Sequence, residues 1–306
     1  MTVCVFGSIN MDITAYMDHL PKPGETLHGR DYNFGLGGKG ANQAAAVRKL
    51  GSDVRFICRV GPDDFAVSAR RELESYGIDT ALVGDDPAGA TGLALINVGE
   101  NAENSISLIA GSNMRLDASD VERGRAALET AAVLLLQIEV PLAASLKAAA
   151  VARAGGATVI FDPAPVPPGG LPLEVLKQVD IVTPNETETG QILGWVPSGL
   201  EEGLKAAREL RGHGVPTAIV KLGARGLAVA SEGVELIVPA FKVMPIDTVA
   251  AGDSFNGGLA HALEQGKPLA EAVRYAAACG ALSTTKKGSA AAAPTKAEVE
   301  AFLAKA

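Results

Sequence analysis

Four short aliphatic runs, each closed by a polar or turn-forming tail, constrain this chain more than any other feature. They are "AAVLLLQIE" (131–139), "ATVIFDPAP" (157–165), "VDIVTPNE" (179–186) and "TAIVKLGARG" (217–226). Runs this short and continuously apolar fit strands buried on both faces rather than strands with one wet face. Amphipathic segments separate them: one near Phe65–Tyr76 after "VRFICRVG", and another beginning after Pro141. Strand–helix alternation of this kind predicts a mainly parallel sheet with helices on both sides. In such sheets ligands lie beyond the carboxyl ends of the strands, so the polar tails are where chemistry is expected.

Two alternating stretches break this rhythm. "ITAYMDHL", the turn "PKPGE" and "TLHGRDYNF" read as a polar-faced hairpin. "TGLALINV" and "SISLIA", separated by "GENAEN", read as a second pair. Four such strands are too few to stand alone, so they are expected to form a small sheet projecting from the main body. From Gly252 to Ala306 the pattern is helical: Phe255, Leu259, Ala262 and Leu263 share a face, and Gly266 with Pro268 ends that helix. No internal repeat or interdomain linker is visible in the 306 residues. With 47% apolar but only 4% aromatic residues, the core is expected to be aliphatic.

A formal net charge of −8 weighs against nucleic-acid and anionic-membrane partners, although a small phosphate can still be held locally by backbone N–H groups. Cys4, Cys58 and Cys279 stand far apart in apolar contexts, which predicts buried reduced thiols. His19, His28, His213 and His261 lack metal-ligand spacing and read as surface or packing residues. The chain opens on the strand-like "TVCVFGS" without a basic leader and has no apolar run long enough for a bilayer; a cytoplasmic protein is expected.

The stretch "GLGGKGANQ" (35–43) resembles several phosphate motifs at once. A dinucleotide fingerprint needs a strand directly before the glycines and an acid closing the next strand. Here "HGRDYNF" reads as a polar turn, and Asp53 precedes the following strand. A P-loop needs Lys followed by Ser or Thr, whereas Gly40 follows Lys39. What remains is a glycine turn feeding a helix whose first turn presents Lys39, Asn42 and Gln43, donors suited to a polyhydroxylated ligand. A solvated helix start is the alternative. In "DTVAAGDSFNGG" (247–258) Asp253 sits at a helix start behind the small residues Ala250, Ala251 and Gly252. Their N–H groups and that of Asp253 would converge as an anion hole. A carboxylate there suits a general base for a hydroxyl attacking a phosphoryl group, and a plain N-cap Asp is the bland reading.

"GSINMD" (7–12), "GGKGANQA" (37–44), "QIE" (137–139), "PNETE" (184–188), "KLGARG" (221–226) and "DTVAAGDSF" (247–255) together resemble the ribokinase (PfkB-type) sugar kinase family, end to end. The resemblance implies an α/β three-layer sandwich over residues 1–306, with lid strands from about 13–36 and 90–110. It implies an ATP-dependent kinase of ribose, with deoxyribose, a ketose or a ribonucleoside as alternative acceptors, and a non-catalytic sugar sensor as a more distant one. Asn10, Asp12, Gly38, Lys39, Gly40, Asn42 and Glu139 match the sugar-binding set. Asp253 matches the base, with Ala250, Ala251 and Gly252 in the anion hole. Asn185 and Glu188 match the N-x-x-E motif that organises Mg²⁺ and the ATP phosphates through water, while Lys221, Gly223, Ala224, Gly226 and Gly252 line the nucleotide. A monovalent-cation (K⁺) site is implied at Asp247, Val249, Ser283, Lys286 and Gly288. Where the family's ribokinases usually supply a serine ligand, this chain has Ala292, leaving water or Ser289 to fill that role. The lid would exclude water from the sugar, and its apolar faces would pair two chains in a homodimer.

Overall fold

The computed structural model describes residues 2–100 and 103–306. In chain order its strands are β1 (Thr2–Phe6), β2 (Asn10–Tyr16), β3 (Asp31–Gly37), β4 (Asp53–Val60), β5 (Val83–Asp85), β6 (Gly92–Val98), β7 (Asn104–Ile109), β8 (Val133–Leu136), β9 (Thr158–Phe161), β10 (Ile181–Val182), β11 (Thr217–Lys221), β12 (Gly226–Ser231) and β13 (Val234–Pro239). The helices are α1 (Lys39–Lys49), α2 (Asp64–Ser75), α3 (Ala118–Arg123), α4 (Arg125–Glu129), α5 (Leu142–Ala154), α6 (Glu186–Leu193), α7 (Leu200–Gly212), α8 (Ala251–Glu264), α9 (Leu269–Ser283) and α10 (Lys296–Leu303).

Among the described residues, nine strands form one sheet in the order β13-β12-β11-β10-β9-β8-β1-β4-β5. From β11 to β5 every pairing is parallel; β12 and β13 extend one edge antiparallel. The aliphatic runs explain this directly, because alternate residues feed two separate cores. Val3, Val5, Val133, Leu135 and Ile160 pack on one face against α1, α8 and α9. Cys4, Phe6, Leu134, Leu136 and Phe161 pack on the other against α5 and α7. This is the expected three-layer arrangement. Each fully buried Leu or Phe contributes roughly 1.5–3 kcal/mol of transfer free energy, so both helical layers are needed to hold the sheet. The three cysteines are buried and free, as expected.

The second sheet, in the order β3-β2-β6-β7, is the projecting one. β2 pairs antiparallel with β3 and parallel with β6, and β6 pairs antiparallel with β7. Two expectations need correction. The expected hairpin pairs β2 with β3, but its strands are shorter: segment 17–30, including "TLHGR", is the connection between them, and Tyr16 pairs with Asp31 across it. The segment before Gly35 is strand β3, not a polar turn; its first four residues are exposed, which hid the period. The dinucleotide reading still fails, because β3 lies in the small sheet and β4 in the large one, so β3-α1-β4 is no single-sheet βαβ unit. The connection between β6 and β7 includes residues 101–102, which lie outside the described residues.

Chain crossings between the sheets place the site. β1 ends at Phe6, and Gly7, Ser8 and Ile9 carry the chain directly into β2. α1 then packs beside α8 at a glycine: a Cβ on Gly257 would stand 2.5 Å from Ala46 Cβ. That close approach lets short side chains on α1 reach the start of α8.

Candidate active site

The start of α1 is held by groups from elsewhere in the chain. Gly38 has φ 85°, and a Cβ there would lie 2.9 Å from the Asn10 nitrogen. A Cβ on Gly40 would lie 2.7 Å from the backbone N and O of Ser8. Gly38 offers no side-chain cap, so Glu139 supplies one: its Oε2 accepts the Lys39 N–H at 3.0 Å and the Ser8 hydroxyl at 2.5 Å. Glu139 thus lies three residues beyond β8 with one oxygen committed to this turn.

Asp253 is the third residue of α8 and is buried. Its side chain does not cap the helix. Asn42 Nδ2 donates to Oδ2 at 3.2 Å, and Gln43 Nε2 donates to Oδ1 at 3.0 Å. The glycine-led turn and the α8 start therefore meet in one place. The N-cap is Ala250, at φ 57° the sole non-glycine residue with positive φ among the described residues. A left-handed alanine costs about 1 kcal/mol, a strain of the kind that gathers at functional sites. The expected anion hole is narrower than four donors: Ala251 N–H points to Thr248 O at 3.4 Å. The N–H groups of Gly252 and Asp253 have no partner among the described residues.

Sequence reasoning missed Asp162, which follows β9 and is almost fully buried. Lys221 Nζ donates to its Oδ1 at 3.2 Å, and Gln43 Nε2 to its Oδ2 at 3.3 Å. Gln43 thus spans two buried carboxylates, and its own Oε1 accepts Gln137 Nε2 at 2.6 Å. The available signal was an acid closing an apolar strand in "VIFDPAP". Burial pushes Asp253 up to about 6, with the Lys39 ammonium opposing and Asp162 adding to the rise. Lys39 is held above its ordinary range: burial works against its charge, but Asp253, Asp162, Glu139 and Glu188 outweigh that effect.

Asp12 lies within β2 rather than at a strand end, and a Cβ on Gly37 would strike its carboxyl group at 2.0–2.1 Å. Burial raises Asp12 to about 6, a bond from Ser289 opposes, and the charges of Glu139 and Asp253 add to it. Asn10 is buried, and its Oδ1 accepts Asn113 Nδ2 at 2.7 Å, leaving the Asn10 amide nitrogen as the free group. Asn113, from the 3-10 turn Gly111–Arg115, was also missed; it clasps Ile9 N and O as well.

The N-x-x-E motif is a capping box at the start of α6. Glu188 N–H donates to Asn185 Oδ1 at 2.8 Å, and Asn185 N–H returns to Glu188 Oε2 at 2.8 Å. Glu188 is buried. Burial, then the charge of Asp162, raise its pKa. Lys221 closes β11 and bridges to Asn185, and a Cβ on Gly252 would stand 3.4 Å from its Nζ. Gly223 and Ala224 form an exposed turn, and Gly226 has φ 115°. Arg225 pairs with Glu186, tying this turn to α6.

Asp247 joins two loops: its Oδ1 accepts Val249 N–H at 3.0 Å and its Oδ2 accepts Gly288 N–H at 3.1 Å. The Ser283 carbonyl, in the same loop pair, accepts Lys286 N–H at 3.2 Å. Lys286 itself turns its ammonium to Glu298 at 2.7 Å. Ala292 is buried, and the Ser289 hydroxyl is spent on Asp12 at 3.3 Å. Among the described residues no group of three or more His, Cys, Asp and Glu is set to hold a metal ion directly. Among the described residues no helix is long and apolar enough to cross a membrane.

An open cavity of about 970 Å³ lies between the small sheet and the loops carrying Asp247 and Ser289; Asp12, Thr14, Ile96 and Ile106 also line it. Asp253, Asn42, Lys39 and Glu139 do not line it. A smaller cavity of about 450 Å³ surrounds His261 and Tyr275 near the far end of α8.

Residues 1–296 match the profile of the pfkB family carbohydrate kinases. The chain is 39% identical over 302 residues to the ribokinase of Haemophilus influenzae, covering 99% of this chain and 98% of that one. It is 36% identical over 303 residues to the deoxyribokinase of Salmonella typhi, covering 99% of each. Among solved structures, the ribokinase of Arabidopsis thaliana complexed with ribose and ATP superposes with a TM-score of 0.88 at 31% identity, over 99% of this chain and 98% of that chain. An ionisable carboxylate at a helix start, gripped by a glycine-led turn within this fold and sequence, places the chain in the pfkB family of carbohydrate kinases.

Proposed function

We propose that this carbohydrate kinase transfers the terminal phosphoryl group of ATP to the 5-hydroxyl of D-ribose. The observation that carries this reading is the meeting of Asp253 with Asn42 and Gln43. It puts a base, hydroxyl-binding amides and unpaired helix N–H groups within one side chain's length. Asp253, at about 6, is ionised at neutral pH yet basic enough to accept a hydroxyl proton. In the step, the sugar oxygen bonds to phosphorus, the bond from phosphorus to the bridging oxygen breaks, the proton goes to Asp253, and ADP leaves. The N–H groups of Gly252 and Asp253 stabilise the equatorial oxygens, aided by the α8 dipole. Lys221, now shared with Asp162, stands beside the same helix start and would face the phosphates.

The donor set also fits the implied ions. Glu188 and Asp162 repel each other, so a divalent charge on this side is favoured; Glu188 would hold Mg²⁺ through water. When bound, Mg²⁺ neutralises phosphate charge. Asp247 with the carbonyls of Val249, Ser283, Lys286 and Gly288 would hold K⁺, although Ala292 contributes no ligand and Ser289 is engaged with Asp12. Exchange of K⁺ for tetramethylammonium is expected to slow turnover; equal rates in the two salts contradict the assignment.

Ribose is favoured by Asn10. With Oδ1 held by Asn113, Asn10 presents an amide donor suited to a sugar hydroxyl, and 2-deoxyribose would leave it unpaired. The similarity to a deoxyribokinase keeps deoxyribose as the second reading. A non-catalytic sensor is disfavoured, since base and unpaired donors are both present. Asn42→Ala is expected to raise the sugar KM roughly 10- to 100-fold while the ATP KM moves far less; equal changes in both contradict the sugar role.

The small sheet would act as a lid over the sugar, keeping out water as a competing acceptor. Tyr32, Phe34 and Leu95 are exposed on that sheet and would pair two copies in a homodimer. Three buried free cysteines suit a reducing cytoplasm.

A further inference from the structure

One buried chain of amides leads away from Asp253, and beyond Gln43 it has no part in the chemistry above. Gln43 Nε2 faces two carboxylates, Asp253 at 3.0 Å and Asp162 at 3.3 Å. The opposite amide orientation would turn a carbonyl oxygen on both, so the flip is fixed by electrostatics. Gln43 Oε1 is then forced to point away, where it accepts Gln137 Nε2 at 2.6 Å. This in turn leaves Gln137 Oε1 fully buried without a partner. An orphaned buried acceptor is unfavourable, and an apolar side chain of the same shape would avoid it. Gly7 is fitted to the same arrangement: a Cβ there would stand 2.0 Å from Gln137 Oε1. A group kept at a cost to stability calls for a role other than stability.

We propose that Gln137 is a positioning residue that, through the amide of Gln43, orients the Asp253 carboxylate and keeps it ready to accept the substrate's proton. This rests on the reading of Asp253 as the base. The other charged groups around Asp253 are Lys39 on α1, Asp162 after β9, Asp12 on β2 and, behind Asp162, Lys221 on β11. Among the described residues none of them hydrogen-bonds to Gln137, whose amide donates to Gln43, so the relay acts on Asp253 through Gln43. Donation from Gln43 favours the ionised form of Asp253 and holds its pKa down against burial. If Gln137 is lost, the Gln43 amide is free to rotate and that support weakens.

The test is the pH dependence of kcat and kcat/KM in the full-length enzyme with ATP, Mg²⁺ and its best sugar. Gln137→Met keeps the shape but removes the donor. We expect its acid limb to move up by about one pH unit, so that kcat falls about fivefold near pH 6 and hardly at all near pH 8.5, with sugar KM unchanged. Gln43→Met should move the limb at least as far, and the double variant no further than Gln43→Met, because Gln137 acts only through Gln43. Gly7→Ala, which crowds Gln137 without removing an amide, should move the limb in the same direction and covers the case in which Gln137→Met fails to fold. An unmoved acid limb in variants that fold overturns the proposal. So does a double variant whose loss equals the product of the single losses, or a fall in Tm with unchanged pH profiles. A loss of this relay alone, with Asp253→Asn still inactive, leaves the base assignment intact.

Discussion

Asp253→Asn is expected to lower kcat about 10²- to 10⁴-fold, with sugar binding largely retained. The amide keeps the shape and can still accept a hydrogen bond, but it cannot take the hydroxyl proton. Stability should move the other way. Asp253 is raised from 3.8 to about 6 in the folded protein, so the folded state holds this proton more tightly than the unfolded state does. Its favourable contribution is complete below 3.8 and disappears as pH rises through about 6. Above that, the fold carries a buried charge that Asn lacks. Asp253→Asn should therefore raise Tm near pH 8, and the gain should shrink toward pH 5, where the wild-type carboxyl group is itself neutral. Thermal melts of both proteins across this range check the sign. Unchanged kcat, or a Tm gain that grows on acidification, contradicts the assignment. Asp12, also raised to about 6, acts in the same direction in both proteins but less strongly in Asp253→Asn, which lacks the Asp253 charge that adds to its rise.

Lys39→Met is expected to be nearly as severe and to damage stability as well. Lys39 is the cation that Asp253, Asp162, Glu139 and Glu188 all feel. Removing one partner from a buried set of charges costs about 3 kcal/mol or more, which for a chain of this size lowers Tm by about 6 °C. Asp253 and Glu188, both raised already with Lys39 opposing, would then be raised further and hold protons more tightly when folded, so the variant should recover stability as pH falls from neutral toward 5. Asp253 would also be less ionised at neutral pH, and turnover should fall about 10²-fold. Lys39→Arg, with the charge kept, should restore much of the stability and little of the activity. A Lys39→Met variant as stable as wild type at neutral pH would show that the ammonium does not balance these groups.

The large sheet was readable because its strands are short, aliphatic and buried on both faces; "VLLL" of β8 admits few other environments. The start of α8 was readable because three small residues before an acid leave main-chain donors uncovered. β3 was misread because its first four residues face solvent, and an exposed strand carries no apolar period. Asp162, Gln137 and Asn113 were missed for a different reason. Their partners lie 59 to 119 residues away along the chain, as in Lys221–Asp162 and Gln43–Asp162. Local pattern marks an acid at a strand end, but only tertiary packing decides which amide it meets. Ala250 shows the same limit: alanine gives no hint of a left-handed backbone, which is imposed by the turn from the Asp247 loop into α8. The N-x-x-E motif was legible as a motif on the phosphate side; the structure adds that it forms a capping box with a buried Glu188.

The most direct test follows the transferred group itself. D-ribose labelled with ¹³C at carbon 5 is incubated with this enzyme, ATP, Mg²⁺ and K⁺, and the product is read by ¹³C and ³¹P NMR. Carbon–phosphorus coupling at the labelled position, with one ADP formed per phosphosugar, is the expected result. Release of ADP and inorganic phosphate without a phosphosugar, or a phosphate ester at another carbon, would contradict a hydroxyl held against Asp253.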